Sequence, residues 1–259
     1  SMDAAGDTEA LSQAAQTAER AFMAAAQAVS KARQKAAPEL ASAVTAAMQL
    51  LGMAGGRFEI ALDKLAQPQS HGLESVEFLV AGHAGSAPRA IGKVASGGEL
   101  SRLALAIAVT ASQRKQTAAG GADTLIFDEI DAGVGGTVAD TVGQLMQQLG
   151  QGRQVLAVTH LAQVAASANH HYVVAKAKGT DGKTTSNVSA LPSDERVSEI
   201  ARMLGGATLS TSVAHAQELL NRATAAITPK QLVSKVPANP PASKGIKPKP
   251  NTPKRGNRA

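Results

Sequence analysis

The 259-residue sequence has no cysteine and no tryptophan, one tyrosine and four phenylalanines. Without cysteine it can build neither a disulfide framework nor a thiolate metal centre. With so few rings it cannot form the stack of aromatic platforms that grips single-stranded nucleic acid. No apolar run approaches the roughly 18 residues that a membrane-spanning helix needs, and no basic segment followed by an apolar one opens the chain. A soluble, cytoplasmic protein with no membrane partner is expected.

Acid is the other local absence. The formal net charge is +6, yet from position 225 onward there are six Lys, two Arg and no Asp or Glu. Setting those eight aside leaves 18 basic residues against 20 acidic ones, a balance of −2. The basicity therefore belongs to the tail. Residues 225–259 also hold seven of the eleven prolines and show no apolar periodicity, so a disordered basic tail is expected.

Small and apolar residues recur at Leu11, Ala15, Ala18, Phe22, Ala25, Val29, Ala32 and Ala36, in steps alternating between four and three. This is a heptad seam. It suits an amphipathic helix on its own domain's core, or one arm of a coiled coil whose partner strand lies elsewhere. Pro38 interrupts the seam, and the apolar positions resume out of phase at Leu40, Val44, Met48 and Leu51, which predicts a kink or a second helix. Two antiparallel strands are predicted around 57–62 and 76–80, where apolar residues alternate. Ser96 and Glu99 have the spacing of a capping box ahead of Leu100, Leu103, Ala104 and Ile107, so a helix starts within the Gly97-Gly98 turn. Its first N–H groups and the positive end of its dipole form a seat for phosphate oxygens.

Leu125-Ile126-Phe127 and Val155-Leu156-Ala157-Val158 read as buried parallel strands, joined by an amphipathic helix through Val138, Val142, Leu145, Met146 and Leu149. The result is a βαβ unit, and the fold class is α/β. Asp128, Glu129 and His160 then stand at the carboxyl ends of adjacent strands, where open α/β sheets bind ligands. Nucleotide hydrolysis needs Mg²⁺ near the phosphates and a base that orients water. Asp128 suits the metal, Glu129 the water, and His160 the γ-phosphate or that same water. Further on, 172–174 and 188–190 flank an Asp181-Gly182 turn signal. The stretch 177–184 imitates a phosphate-binding loop with Ala177 in place of the first glycine. It lacks the strand-before, helix-after context, and a hairpin tip is the expected structure. His170 and His171 are adjacent on a predicted strand and point to opposite faces, so they are not read as metal ligands. Two helices, about 193–204 and 211–226, complete the folded part.

Taken together, the run from Gly92 through Ser96-Gly97-Gly98-Glu99-Leu100-Ser101-Arg102, then Phe127-Asp128-Glu129-Ile130-Asp131-Ala132-Gly133, then Val158-Thr159-His160-Leu161-Ala162-Gln163 resembles the RecN family of bacterial DNA repair proteins. The resemblance extends over roughly 40–221. Members of that family are similar in plan to the structural-maintenance-of-chromosomes proteins, an ABC-type ATPase head split by a long antiparallel coiled coil. The resemblance implies that 1–52 is a coiled-coil arm segment and 53–224 the carboxyl-terminal lobe of the head. It further implies that Ser96, Gly97, Gly98 and Glu99 form the signature that closes over ATP held by a second head. Asp128 and Glu129 would be the Walker B pair, with Asp128 on Mg²⁺. Asp131 would be the D-loop acid and His160 the switch histidine. Ala162 stands where the family has proline, and the Walker A and Q-loop motifs are missing. The chain is accordingly expected to need the amino-terminal half of the same protein, a second head and DNA as partners. Alone it is expected to bind ATP poorly and hydrolyse none.

Two rivals remain. Another chromosome-type ATPase or a transporter's nucleotide-binding domain shares these motifs, although the transporter domain would carry a phosphate-binding loop about a hundred residues before the signature. A non-catalytic DNA-binding module acting through the basic tail would bind electrostatically and be sensitive to salt.

Overall fold

The computed structural model describes residues 3–94, 96–113, 122–178, 184–206 and 208–225. The expected tail lies outside them except for Ala225, which ends the last helix. The tip of the 179–182 turn also lies outside.

The chain opens with α1 (Asp3–Leu50), a single helix of 48 residues. It runs through Pro38 without a break, so no second helix forms. Proline removes one backbone donor, and the turns after it are secured by burial of Val44, Ala47, Met48 and Leu51 in the main core. The seam itself, Leu11 to Ala36, is exposed at every one of its positions and does not pack on the domain's own core, whereas the out-of-phase residues beyond Pro38, Val44, Met48 and Leu51, do.

A hairpin lies along those last turns. β1 (Arg57–Gln69) and β2 (Gly72–Ala81) pair antiparallel, with Phe58 opposite Val80, Ile60 opposite Phe78 and Leu62 opposite Val76. Alternation puts these residues on one face, and Phe58 and Val80 are buried with α1. The hairpin is fastened at both ends. Near the head, the Phe58 N–H donates to Thr45 Oγ1 at 2.9 Å and Gln49 Nε2 donates to the Gly56 carbonyl at 2.9 Å. At the far end, Ser30 Oγ donates to the buried Glu74 carboxylate, Arg33 Nη1 lies 3.6 Å from the same group, and Arg33 Nη2 donates to the His71 carbonyl at 2.9 Å. A short strand β3 (Arg89–Ala90) adds to β2.

Helix α2 (Gly97–Gln113) follows, with Leu103, Leu105, Ala106 and Val109 in the main core. Then come β4 (Thr124–Phe127), α3 (Gly136–Gly150) and β5 (Gln154–Ala157), with β4 and β5 parallel and in register from Thr124–Gln154 to Phe127–Ala157. The βαβ unit and the α/β class are as expected. Full burial of its strands is not: Leu125, Phe127 and Val155 pack on the main core, but Ile126 is 70% exposed and Val158, just after β5, 63%, with Leu156 open beside them. Among the described residues one face of this two-stranded sheet is uncovered.

Helix α4 (Ala162–Ala166) leads to β6 (Tyr172–Lys178) and β7 (Thr184–Ala190), an antiparallel pair. Thr184 therefore opens a strand and no helix, which removes the phosphate-loop reading of 177–184. His170 and His171 come just before β6, not on it. Tyr172, Val174 and Val188 share one exposed face of the hairpin. The chain closes with α5 (Arg196–Met203) and α6 (Ser210–Ala225), which bury Ile200, Ala201, Ala216 and Leu219 against α4 in a second, smaller core. Arg222 Nη2 bonds Asp140 at 2.9 Å and ties α6 back to α3. Among the described residues no helix is long and apolar enough to cross a membrane.

Candidate nucleotide-handling site

The site is assembled from the first turn of α2, the loop after β4 and the loop after β5. At the start of α2, the Glu99 N–H donates to Ser96 Oγ at 3.3 Å, one half of the capping box. The Glu99 side chain goes elsewhere, with its carboxylate close to Gly82. Close approach requires glycine at 98, where a Cβ would stand 2.9 Å from the Ala132 Cβ and 3.1 Å from the Ala132 carbonyl oxygen; at Gly97 the near neighbour is the end of the exposed Glu129 side chain, which can swing aside. The bare backbone of this turn therefore meets the loop after β4 directly, with helix N–H groups left over from the α-helical pattern.

Asp128 and Glu129 follow the last residue of β4 and are both exposed. One Asp128 carboxylate oxygen accepts the Glu129 N–H at 2.9 Å. Glu129 has φ of +54°, the one positive value outside glycine among the described residues. Such backbone is costly for a residue with a side chain and persists where its neighbours over-determine it. Those neighbours are identifiable. Ser101 Oγ donates to the Asp128 carbonyl at 2.5 Å, and Arg102 Nη1 donates to the Ala132 carbonyl at 2.7 Å.

Asp131 is 2% exposed. Its Oδ2 accepts Thr159 Oγ1 at 2.5 Å, the His160 N–H at 2.8 Å and the Leu161 N–H at 3.2 Å, and lies 3.2 Å from His160 Nδ1. Burial disfavours its charge more than any other single influence, but the bonds from Thr159 and His160, with the attraction of the His160 ring, together outweigh it. The carboxyl is held below its usual range. Asp131 thus faces the His160 loop, while the His160 side chain is itself exposed.

The sequence-derived residues fall into two contacts: Gly97 with Glu129, and Asp131 with His160. Asp128 joins them through the backbone. Ser101, Arg102 and Thr159 stand within the motif stretches read from the sequence but were given no role there. Arg102 left a trace, because it sits at helical spacing from Leu105, Ala106 and Val109 on the buried stripe of α2, where a charge needs a reason. Among the described residues no three His, Asp or Glu cluster tightly enough to enclose a metal ion. A single free carboxylate oxygen on Asp128 is nevertheless a fitting partner for Mg²⁺, which takes one or two carboxylates and completes its shell with water and phosphate oxygens.

The chain is 44% identical over 196 residues to the DNA repair protein RecN of Deinococcus radiodurans, covering 75% of this chain and 33% of that protein. It is 46% identical over 194 residues to RecN of Xylella fastidiosa, covering 74% and 34%. With RecN of Treponema pallidum it shares 39% over 224 residues, covering 84% and 38%. The chain is a relative of RecN. It spans about a third of the length of the RecN proteins it matches. No protein-family model matches it. Solved structures that are similar include the Smc head domain with a coiled coil and joint from Pyrococcus yayanosii, at 22% identity and a TM-score of 0.43, covering 71% of this chain and 29% of that one. Another is the Pyrococcus furiosus Smc head bound to the carboxyl-terminal domain of ScpA, at 21% identity and a TM-score of 0.41, covering 63% and 37%.

Proposed function

We propose that this chain is the carboxyl-terminal lobe of an ABC-type ATPase head together with the root of one coiled-coil arm, acting in the repair of DNA double-strand breaks. The observation that carries the reading is the joining of the signature turn, the Asp128–Glu129 pair and the His160 loop into one connected polar assembly. The RecN relationship supports the DNA repair setting, in the cytoplasm and at the nucleoid.

When bound, ATP with Mg²⁺ supplies the γ-phosphoryl group and the charge that activates it. Asp128 offers its free oxygen to the metal. Glu129 orients the attacking water with its exposed carboxylate. His160, steered by Asp131, presents its ring to the γ-phosphate side. Ser96, Gly97, Gly98 and Glu99 form the turn that closes over nucleotide carried by a second head, so nucleotide drives pairing and hydrolysis ends it. Arms built on α1 convert pairing into holding or tethering of DNA.

The uncovered faces around Ile126 and Leu156, and around Tyr172 and Val188, support a requirement for the amino-terminal half of the same protein. A two-stranded sheet is marginal in water without further packing, and among the described residues β4–β5 is packed on one face only. The test mixes this chain with a separately made amino-terminal half of RecN and follows ATP hydrolysis. Turnover is expected only in the mixture, falling at least about a hundredfold with Glu129→Gln. Robust turnover by the chain alone, or by a mixture carrying Glu129→Gln, would sink the reading.

A further inference from the structure

The ATPase reading leaves Ser101 and Arg102 without a task, yet they hold the loop that carries Glu129. Ser101 Oγ donates to the carbonyl just before Glu129, and Arg102 Nη1 to the carbonyl of Ala132. Glu129 and Asp131 therefore lie between two carbonyls clasped from α2. Gly98 backs onto Ala132 between the clasps, and the Glu129 carboxylate rests against Gly97.

The energetics make this more than incidental packing. Arg102 is 7% exposed, and its Nε has no partner. Burying a guanidinium is costly unless an acceptor is provided. Burial pulls the Arg102 guanidinium below its usual range, and the charge of Glu99 works in the other direction. The acceptor found for it is a loop carbonyl, 30 residues away in sequence. Glu129 meanwhile has an exposed side chain and a left-handed backbone, so packing of its own side chain does not fix it. Its position has to be imposed through the backbone on either side, and the clasped carbonyls of Asp128 and Ala132 do this.

We infer that Arg102, assisted by Ser101, is a positioning residue for Glu129: it locks the loop after β4 to the signature turn so that both move as one body. A phosphate group seated on the signature turn then reports its presence to Glu129 within the same chain. This rests on the ATPase reading above.

The experiment uses the full-length protein and ATP. Arg102→Ala is expected to lower kcat about a hundredfold, the scale of a misplacement of about 1 Å, with KM changed less than about twofold. Ser101→Ala, which removes one neutral hydrogen bond, is expected to lower kcat about three- to tenfold. Arg102→Lys, which keeps the charge and a donor, recovers part of the loss. On a Glu129→Gln background neither substitution lowers the residual rate further, because both act through that side chain. A purely structural role would instead lower the rate by the same factor in both backgrounds. Wild-type kcat in folded Ser101→Ala and Arg102→Lys, or fully additive losses on Glu129→Gln, overturns the inference. If Arg102→Ala fails to fold, Ser101→Ala decides. Undiminished turnover by Glu129→Gln alone overturns the ATPase reading itself, and the inference with it.

Discussion

The end of the β1–β2 hairpin beside α1 and the outer face of the β4–β5 pair treat apolar residues in opposite ways, although Val76 and Phe78 farther out on the hairpin are open as well. Phe58 and Val80 are buried under α1, in a core that also takes Met48, Leu51 and Leu103. Ile126 and Leu156 on the strand pair, and Val158 just after it, remain open. Each large apolar side chain left uncovered forgoes about 1.5–3 kcal/mol. The first region is closed within the described residues, and the second leaves large apolar side chains open among them. The difference teaches which apolar faces the described residues cover and which they do not.

The closed region gives the largest expected change in stability. Leu51→Ala, at a fully buried position, is expected to cost about 3 kcal/mol of unfolding free energy, measured by urea titration. A cost below about 1 kcal/mol would mean that the core is not closed as described.

Asp131, in the loop after β4 and bonded to the loop after β5, gives an intermediate effect. Its carboxyl is held below the usual range by Thr159 and His160 despite burial. A depressed folded-state pKa stabilises above the unfolded value, near 3.9, and that stability is lost as pH falls through the folded-state pKa. Asp131→Asn is therefore expected to cost about 2 kcal/mol at pH 7, with the gap to the unaltered chain narrowing below about pH 4. Parallel stability curves from pH 7 to 3 would show that the carboxylate is not what the loop depends on.

The smallest effect belongs to the open face. Ile126→Ala in this chain alone is expected to change stability by no more than about 0.5 kcal/mol. In the full-length protein the same substitution is expected to cost about 2 kcal/mol or more. Equal values in both settings would erase the contrast between the regions.

Much of this was legible in the residues, for reasons that also explain the misses. The strand alternation at 57–62, the Ser96–Glu99 spacing and the βαβ periodicity are local signals, and each produced the expected element. Burial of β4 and β5 was misjudged because a continuous apolar run records what a strand is made for, not whether the covering layer is present. Of the kink or second helix expected at Pro38, the second helix does not form, since the local loss of one donor is outweighed by the packing of Val44, Met48 and Leu51 beyond it. The contacts of Asp131 with His160 and of Arg102 with Ala132 span about 30 residues each. No periodicity encodes such pairs, although an arginine on an apolar stripe hinted at one of them.

The fastening of α1 by the β1–β2 hairpin has a mechanical consequence. At 1.5 Å per residue the helix is about 72 Å long, and the stretch held from Ser30 to its end is about 30 Å. The remaining 40 Å or so projects as the free limb of a lever whose short limb is bolted to the same core that supports α2. A tilt of one degree at the base moves the far end by about 0.7 Å. A rotation of α2 passed through that shared core to α1 is thereby magnified at the far end of the helix.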